Sequence, residues 1–177
     1  MDLSGLGNAF ALLGGALAVL MCGIGSSLGI KISGSSADGV LTEKPERYGI
    51  NFIMVVLPGT QGFYGFLAGF IVIQNLGLLD TTYAISLTWQ QGLTVLVACL
   101  PVAFSGMVSA IFQGKVCAAG IMMAAKRPEM AFKAGVVYAV MIEVYAILGL
   151  LVTLFMLNNV EWTALKEAAL KAAGIAG

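Results

Sequence analysis

Four apolar stretches, at about residues 6–33, 48–79, 86–125 and 130–158, constrain this chain more than any motif in it. Each exceeds the ~20 residues that an α-helix needs to cross the hydrocarbon core of a bilayer at ~1.5 Å per residue. Two are long enough to project beyond the membrane on one side. The breaks fall at Ser33–Arg47, Leu79–Thr82 and Lys126–Glu129. The expected fold is therefore an all-α membrane protein with four transmembrane helices.

Composition supports this reading. Only 10% of the residues are charged and 59% are hydrophobic, against about 25% charged in an average soluble domain. The surplus apolar surface has to face lipid. The formal charge is zero and no basic run is present, so a nucleic-acid partner is not expected. Without histidine, His-dependent triads and the commonest metal ligand are excluded together. Cys22, Cys99 and Cys117 lie far apart inside apolar stretches and read as packing residues. The start, Met1-Asp2, lacks the basic flank of a secretory leader, and its apolar stretch is too long for one, so a retained helix is expected.

The proline turns disclose a duplication. Lys44-Pro45-Glu46 and Arg127-Pro128-Glu129 share a basic-Pro-Glu pattern, and the offset from Lys44 to Arg127 also pairs Gly23 with Gly106 and Ser26 with Ser109. That offset is the length of one repeat. Two helices separate the copies, so both run the same way through the membrane, which argues against an inverted transporter repeat. The chain divides into a first hairpin (1–80), a second hairpin (81–158) and a tail (159–177). Seven of nine basic residues cluster near the first and third turns, whereas the middle turn carries only Asp80. The excess of cytoplasmic Lys and Arg in membrane proteins then places both proline turns in the cytoplasm and both termini outside. Residues Trp162–Ala173 could form a short surface helix, as a membrane-surface anchor or, in preference, as a solvated or frayed tail.

Small residues recur every three or four positions in the odd-numbered helices. The first carries Gly15, Ala18, Cys22, Gly25, Gly29 and Ser33; the third carries Gly106, Ala110, Gln113, Cys117, Gly120 and Ala124. Such stripes allow close backbone approach where no hydrophobic effect drives helices together. The bulky aromatics fall mostly in the second and fourth helices, so a tight inner and a bulkier outer layer is expected, as a closed ring of hairpins requires.

Eight of the nine acidic residues lie in termini, turns or tail. Glu143 alone lies inside a span, fifteen residues past Pro128 and fifteen before Asn158. An ionised carboxylate at that depth costs at least a few kcal/mol, so it stays protonated or finds a cation. Polar side chains lie at compatible depths: Thr60, Gln61 and Tyr64 in the second helix and Gln113 in the third. Pro58 withholds a backbone hydrogen bond and should expose carbonyls on the preceding turn, that of Met54 most directly. A carboxylate, a hydroxyl, amide oxygens and a backbone carbonyl are ligands for a hard cation. At the repeat position of Glu143 the first hairpin carries a neutral side chain, so one ion per four helices is expected.

The segments Leu57-Pro-Gly-Thr-Gln-Gly-Phe-Tyr-Gly65, Phe112-Gln-Gly-Lys-Val-Cys-Ala-Ala-Gly120 and Glu143-Val-Tyr-Ala-Ile-Leu-Gly149 resemble the proteolipid rotor subunit (K or c) of V-type (V/A-type) ATPases, in its duplicated bacterial four-helix form. The resemblance covers roughly residues 8–158. It implies a ring of identical subunits, turning against a stator subunit that offers a basic residue and docking a central shaft at the cytoplasmic turns. It implies, as Na⁺ ligands, the side chains of Glu143, Gln113, Gln61 and Thr60 and the backbone carbonyl of Leu57, with Tyr64 hydrogen-bonded to the glutamate. No ligand position departs from the sodium pattern, which favours Na⁺ over H⁺. ATP chemistry would lie on other subunits. The competing reading is a small ion-coupled secondary transporter; a structural tetraspan protein would need a long outer loop with paired cysteines.

Overall fold

The computed structural model describes residues 5–80, 83 and 85–174. Four helices long and apolar enough to span a membrane follow one another: α1 (Leu6–Glu43), α2 (Pro45–Asn75), α3 (Trp89–Lys126) and α4 (Pro128–Asn158). A fifth helix, α5 (Trp162–Ala172), follows them. The most extensive contact joins α1 to α3; α2 packs on α1, and α4 on α3.

Backbone proximity makes the α1–α3 contact. A β-carbon added at Gly25 would lie 2.5 Å from the Met107 Cα, and one at Gly29 would lie 2.4 Å from the Ala110 carbonyl oxygen. Gly114 meets the backbone of Gly29 from the other side. Both small-residue stripes expected from the sequence are buried along their whole length. The outer helices turn large residues outward: Phe52, Phe63 and Phe66 of α2 and Tyr138, Tyr145 and Phe155 of α4 are more than half exposed.

The third break falls where expected, with Arg127 alone between α3 and α4, but the first two differ. The segment after Ser33 is not a loop; α1 continues to Glu43, and only Lys44 stands between it and the next helical turn. Its serines fit the helix because their hydroxyls donate to carbonyls one turn back, Ser33 to Gly29 and Ser36 to Ile32, while Ala37 and Val40 bury themselves. The middle connection is longer than Leu79–Thr82, whose last two residues lie outside the described residues. It begins at Leu76 and runs to Thr88, which caps α3 in a reciprocal capping box with Gln91. Hydropathy hides this loop because Leu76, Ile85 and Leu87 are buried apolar residues within it. Asn8 holds it to α1, donating to the Ile85 carbonyl and accepting from the Leu87 N–H.

The tail forms the short surface helix that the sequence allowed, with none of its residues fully buried. Trp162, Leu165 and Ala169 of α5 pack on the buried cluster that includes Leu76, Ile85 and Leu157, and the Trp162 indole donates to the Leu157 carbonyl at 2.8 Å. Lys166 places its ammonium 5.0 Å from the centre of the Tyr83 ring.

The duplication is not strictly regular. A β-carbon added at Gly65 would strike the Ala18 carbonyl and the Cys22 side chain; one at Gly149 would strike the Pro101 carbonyl and the Ser105 side chain. Ala18 and Pro101, like Cys22 and Ser105, are separated by the same offset as Lys44 and Arg127, whereas Gly65 and Gly149 are separated by one residue more. The extra residue is absorbed in a π-helical turn at Ala131–Val136, the usual outcome of a one-residue insertion in a helix. The residue of the first hairpin that matches Glu143 is therefore Gly59, one position before Thr60.

Because Gly25 meets main chain that cannot step aside, Gly25→Val should cost on the order of 1–3 kcal/mol or more. Gly39 has open space around it, and Gly39→Ala should leave stability equal or slightly raised. Thermal unfolding of the two variants in the same detergent checks the contrast.

Candidate ion-binding site

The site forms where the altered turn of α2 faces α3 and α4. Pro58 removes an N–H from the helix, and Leu57–Gly59 tightens into a 3₁₀ turn. The Leu57 carbonyl then receives both the Thr60 N–H and the Thr60 hydroxyl, the latter at 3.0 Å. One turn further, the Gly62 N–H is taken by the Ser26 hydroxyl of α1 at 2.8 Å. Ser26 is a residue that sequence reasoning noticed only for its repeat partner; a hydroxyl on the buried stripe opposite a proline turn was the available signal.

From this turn a continuous set of polar contacts crosses the bundle. Thr60 Oγ1 lies 3.3 Å from Gln61 Oε1. Gln61 Nε2 donates to Gln113 Oε1 at 2.7 Å. Gln113 Nε2 reaches the Ala139 carbonyl at 3.0 Å and Glu143 Oε2 at 3.3 Å. The Tyr64 hydroxyl donates to Glu143 Oε1 at 2.7 Å. All six residues singled out from the sequence thus stand in one network across three helices. The Ala139 carbonyl is an addition that no side-chain pattern signals, because only the facing of α3 and α4 supplies it.

Burial is graded across the network. Gln61 and Gln113 have no exposed surface, whereas Thr60, Tyr64 and Glu143 are half-buried. Glu143 follows Ala139 by one turn and precedes Ala146 and Gly149, all on the packed side of α4. The carboxylate therefore sits at the edge of the packed face, with protein on one side and the open flank of α4 on the other. The acid is singly charged, and the other oxygens of the network, those of Leu57, Thr60, Gln61 and Gln113, are neutral. Such a donor set suits a hard monovalent cation or a proton.

The profile of the ATP synthase C-subunit family matches this chain twice, over residues 13–72 and 96–156. The chain belongs to that family. Each match covers one hairpin, and the second is one residue longer than the first, the same difference that the π-helical turn absorbs. The chain is 44% identical over 153 residues to the V-type sodium ATPase subunit K of Enterococcus hirae, covering 86% of this chain and 93% of that one. It is 33% identical to the A-type ATP synthase subunit K of Methanocaldococcus jannaschii over 84% of this chain and 61% of that protein. The 16 kDa proteolipid of the V-type proton ATPase of Nephrops norvegicus is 27% identical over 83% of this chain and 89% of that one. The chain is a multi-pass, non-catalytic proteolipid subunit of a V-type rotary ATPase, with ATP chemistry on other subunits. Helix α5 lies beyond both family matches.

Tyr64 holds one carboxylate oxygen through a single hydrogen bond, worth roughly 0.5–1.5 kcal/mol net or up to about 3 to a charged partner. Tyr64→Phe should therefore raise the reactivity of Glu143 toward a hydrophobic carbodiimide, which attacks the protonated acid, by roughly two- to a hundredfold, leaving the helices intact by circular dichroism.

Proposed function

We propose that Glu143 is the ion-carrying group of this rotor subunit. In this reading the side chains of Glu143, Gln113, Gln61 and Thr60 and the Leu57 carbonyl hold one Na⁺, and Tyr64 fixes the carboxylate by its hydrogen bond. The polar network that links the other five residues to Glu143, with Tyr64 and Gln113 in direct contact, is the observation that supports it. The name of the 44% identical relative, a sodium ATPase subunit, favours Na⁺ as cargo over H⁺.

Electrostatics supplies the mechanism. A bare carboxylate facing lipid costs at least a few kcal/mol, so Glu143 crosses the lipid-facing arc only when neutralised by its ion. At a stator subunit, a basic residue and water stabilise the empty carboxylate, and the ion is exchanged there. The half-buried position of Glu143 gives it the required access on the open side of α4. The Tyr64 and Gln113 hydrogen bonds draw the loaded carboxylate inward. Identical copies form a ring with α1 and α3 inside and α2 and α4 outside. ATP-driven rotation carries one ion per copy past the stator. Both termini lie outside, and the turns Lys44–Glu46 and Arg127–Glu129 face the cytoplasm, where a central shaft docks.

Hydrophobic carbodiimide labelling of Glu143 in membranes tests the assignment, because the reagent attacks the protonated acid. A bound Na⁺ excludes the proton, so labelling should fall as Na⁺ is added at fixed pH, and more Na⁺ should be needed at lower pH. Labelling that declines with rising pH but ignores Na⁺ would assign the site to H⁺. Glu143→Gln should abolish coupled ion transport while the ring still assembles; full transport by that variant would remove Glu143 from the mechanism.

A further inference from the structure

The two proline turns are conformational twins. Lys44 has φ −138° and ψ 70°, and Arg127 has φ −139° and ψ 77°. Their N–H groups donate to Val40 and Met123, and their carbonyls accept from Arg47 and Met130, each pair one repeat apart. Yet among the described residues only one of the two side chains has a partner. The Lys44 ammonium donates to the Ala125 carbonyl and so caps the end of α3. The Arg127 side chain is exposed and makes no ion pair or hydrogen bond among the described residues.

The end of α1 shows the complementary lack. Thr42 is the repeat equivalent of Ala125, and no basic residue lies in the last turn of α1. That turn instead holds Glu43, with Asp38 just upstream, both exposed. Acids at a helix C-terminus oppose the helix dipole, and unpaired terminal carbonyls call for a donor. Among the described residues, a basic side chain of the first hairpin caps the second, whereas none caps the first, where only local bonds, from the Lys44 N–H to Val40 and the Thr42 hydroxyl to Gly39, serve the end of α1.

We propose that a second copy of this chain completes both ends: Arg127 of one copy donates to the Thr42 carbonyl of its neighbour and lies against that neighbour's Glu43. The inference rests on the ring reading and specifies how adjacent copies meet. The surfaces between the turns fit it. Val97 and Val108 of α3 are the repeat equivalents of Gly14 and Gly25 of α1, whose contacts are Leu96 and Met107. Leu13 and Ile24 of α1 are in turn the equivalents of those contacts, and Val97, Val108, Leu13 and Ile24 are 44–51% exposed. The repeat therefore brings Val97 and Val108 of one copy onto Leu13 and Ile24 of the next. Ser105, the equivalent of Cys22, has a buried hydroxyl without a partner, whereas the Cys22 thiol donates to the Val102 carbonyl. Valines stand between copies where glycines stand within the chain, so this seam is wider than the α1–α3 contact, and the long Arg127 side chain bridges it at the cytoplasmic end.

Paired cysteines test the seam in native membranes. Thr42→Cys with Arg127→Cys, treated with a short bis-maleimide, should give a ladder of covalent multimers on a denaturing gel. Lys44→Cys with Ala125→Cys should give only a cross-linked single chain. Separately, Arg127→Gln should release single copies at lower detergent concentration than wild type, and Arg127→Lys should restore part of the loss. An intact ring by native mass spectrometry without the ladder, or with unchanged Arg127→Gln stability, overturns the proposed seam alone. A wild-type protein found only as single copies overturns the ring reading, and this seam with it.

Discussion

The contact of α1 with α3, backbone against backbone, is the constraint on which the remaining structure depends. Inside a bilayer, apolar side chains gain nothing by leaving lipid for protein, so helices associate through close packing and hydrogen bonds. Gly25, Gly29 and Gly114 permit that approach, and a side chain at any of them would strike main chain. With α1 and α3 held in this way, α2 and α4 can only lie along their flanks. That placement carries the polar turn of α2 and the acid of α4 to the same depth on either side of Gln113.

The polar network depends on two local departures from the α-helix, one in each hairpin. In α2, Pro58 converts Leu57–Gly59 into a 3₁₀ turn, so the Leu57 carbonyl is served by Thr60 and not by the regular ladder. In α4, the π-helical turn takes up one additional residue before the site. Without it, that residue would rotate the rest of the helix by about 100°, and Ala139, Glu143, Ala146 and Gly149 would leave the packed side together. The acid reaches Tyr64 and Gln113 because the helix absorbs its extra residue upstream.

Much of this was legible in the residues. The four spans, the parallel duplication, the small stripes and the isolated acid follow from hydropathy, spacing and the cost of burying charge. The ligand set followed from a resemblance, and the structure brings its members together. Two features misled the reading for identifiable reasons. Gly34, Ser35 and Ser36 look like a loop by composition, but helical hydroxyls can satisfy themselves on carbonyls one turn back. Leu76, Ile85 and Leu87 look like membrane span, but they belong to a connection that buries itself on the core. The tail helix was open to the sequence; what the structure adds is that Trp162, Leu165 and Ala169 pack it against the core.

The sequence by itself determined that the chain spans a membrane four times, repeats one hairpin and keeps one acid at mid-depth. These are properties of length, period and solvation energy, and neighbours do not alter them. The tertiary structure decided which way each helix faces. That choice sets the distances from Tyr64 and Gln113 to Glu143, the recruitment of Ser26 and the Ala139 carbonyl, and the pairing of Lys44 with α3 while Arg127 is left outward. Facing is settled by contacts between residues distant in the chain, and a single inserted residue can reverse it unless the backbone yields locally. Periodicity along one helix does not contain that information.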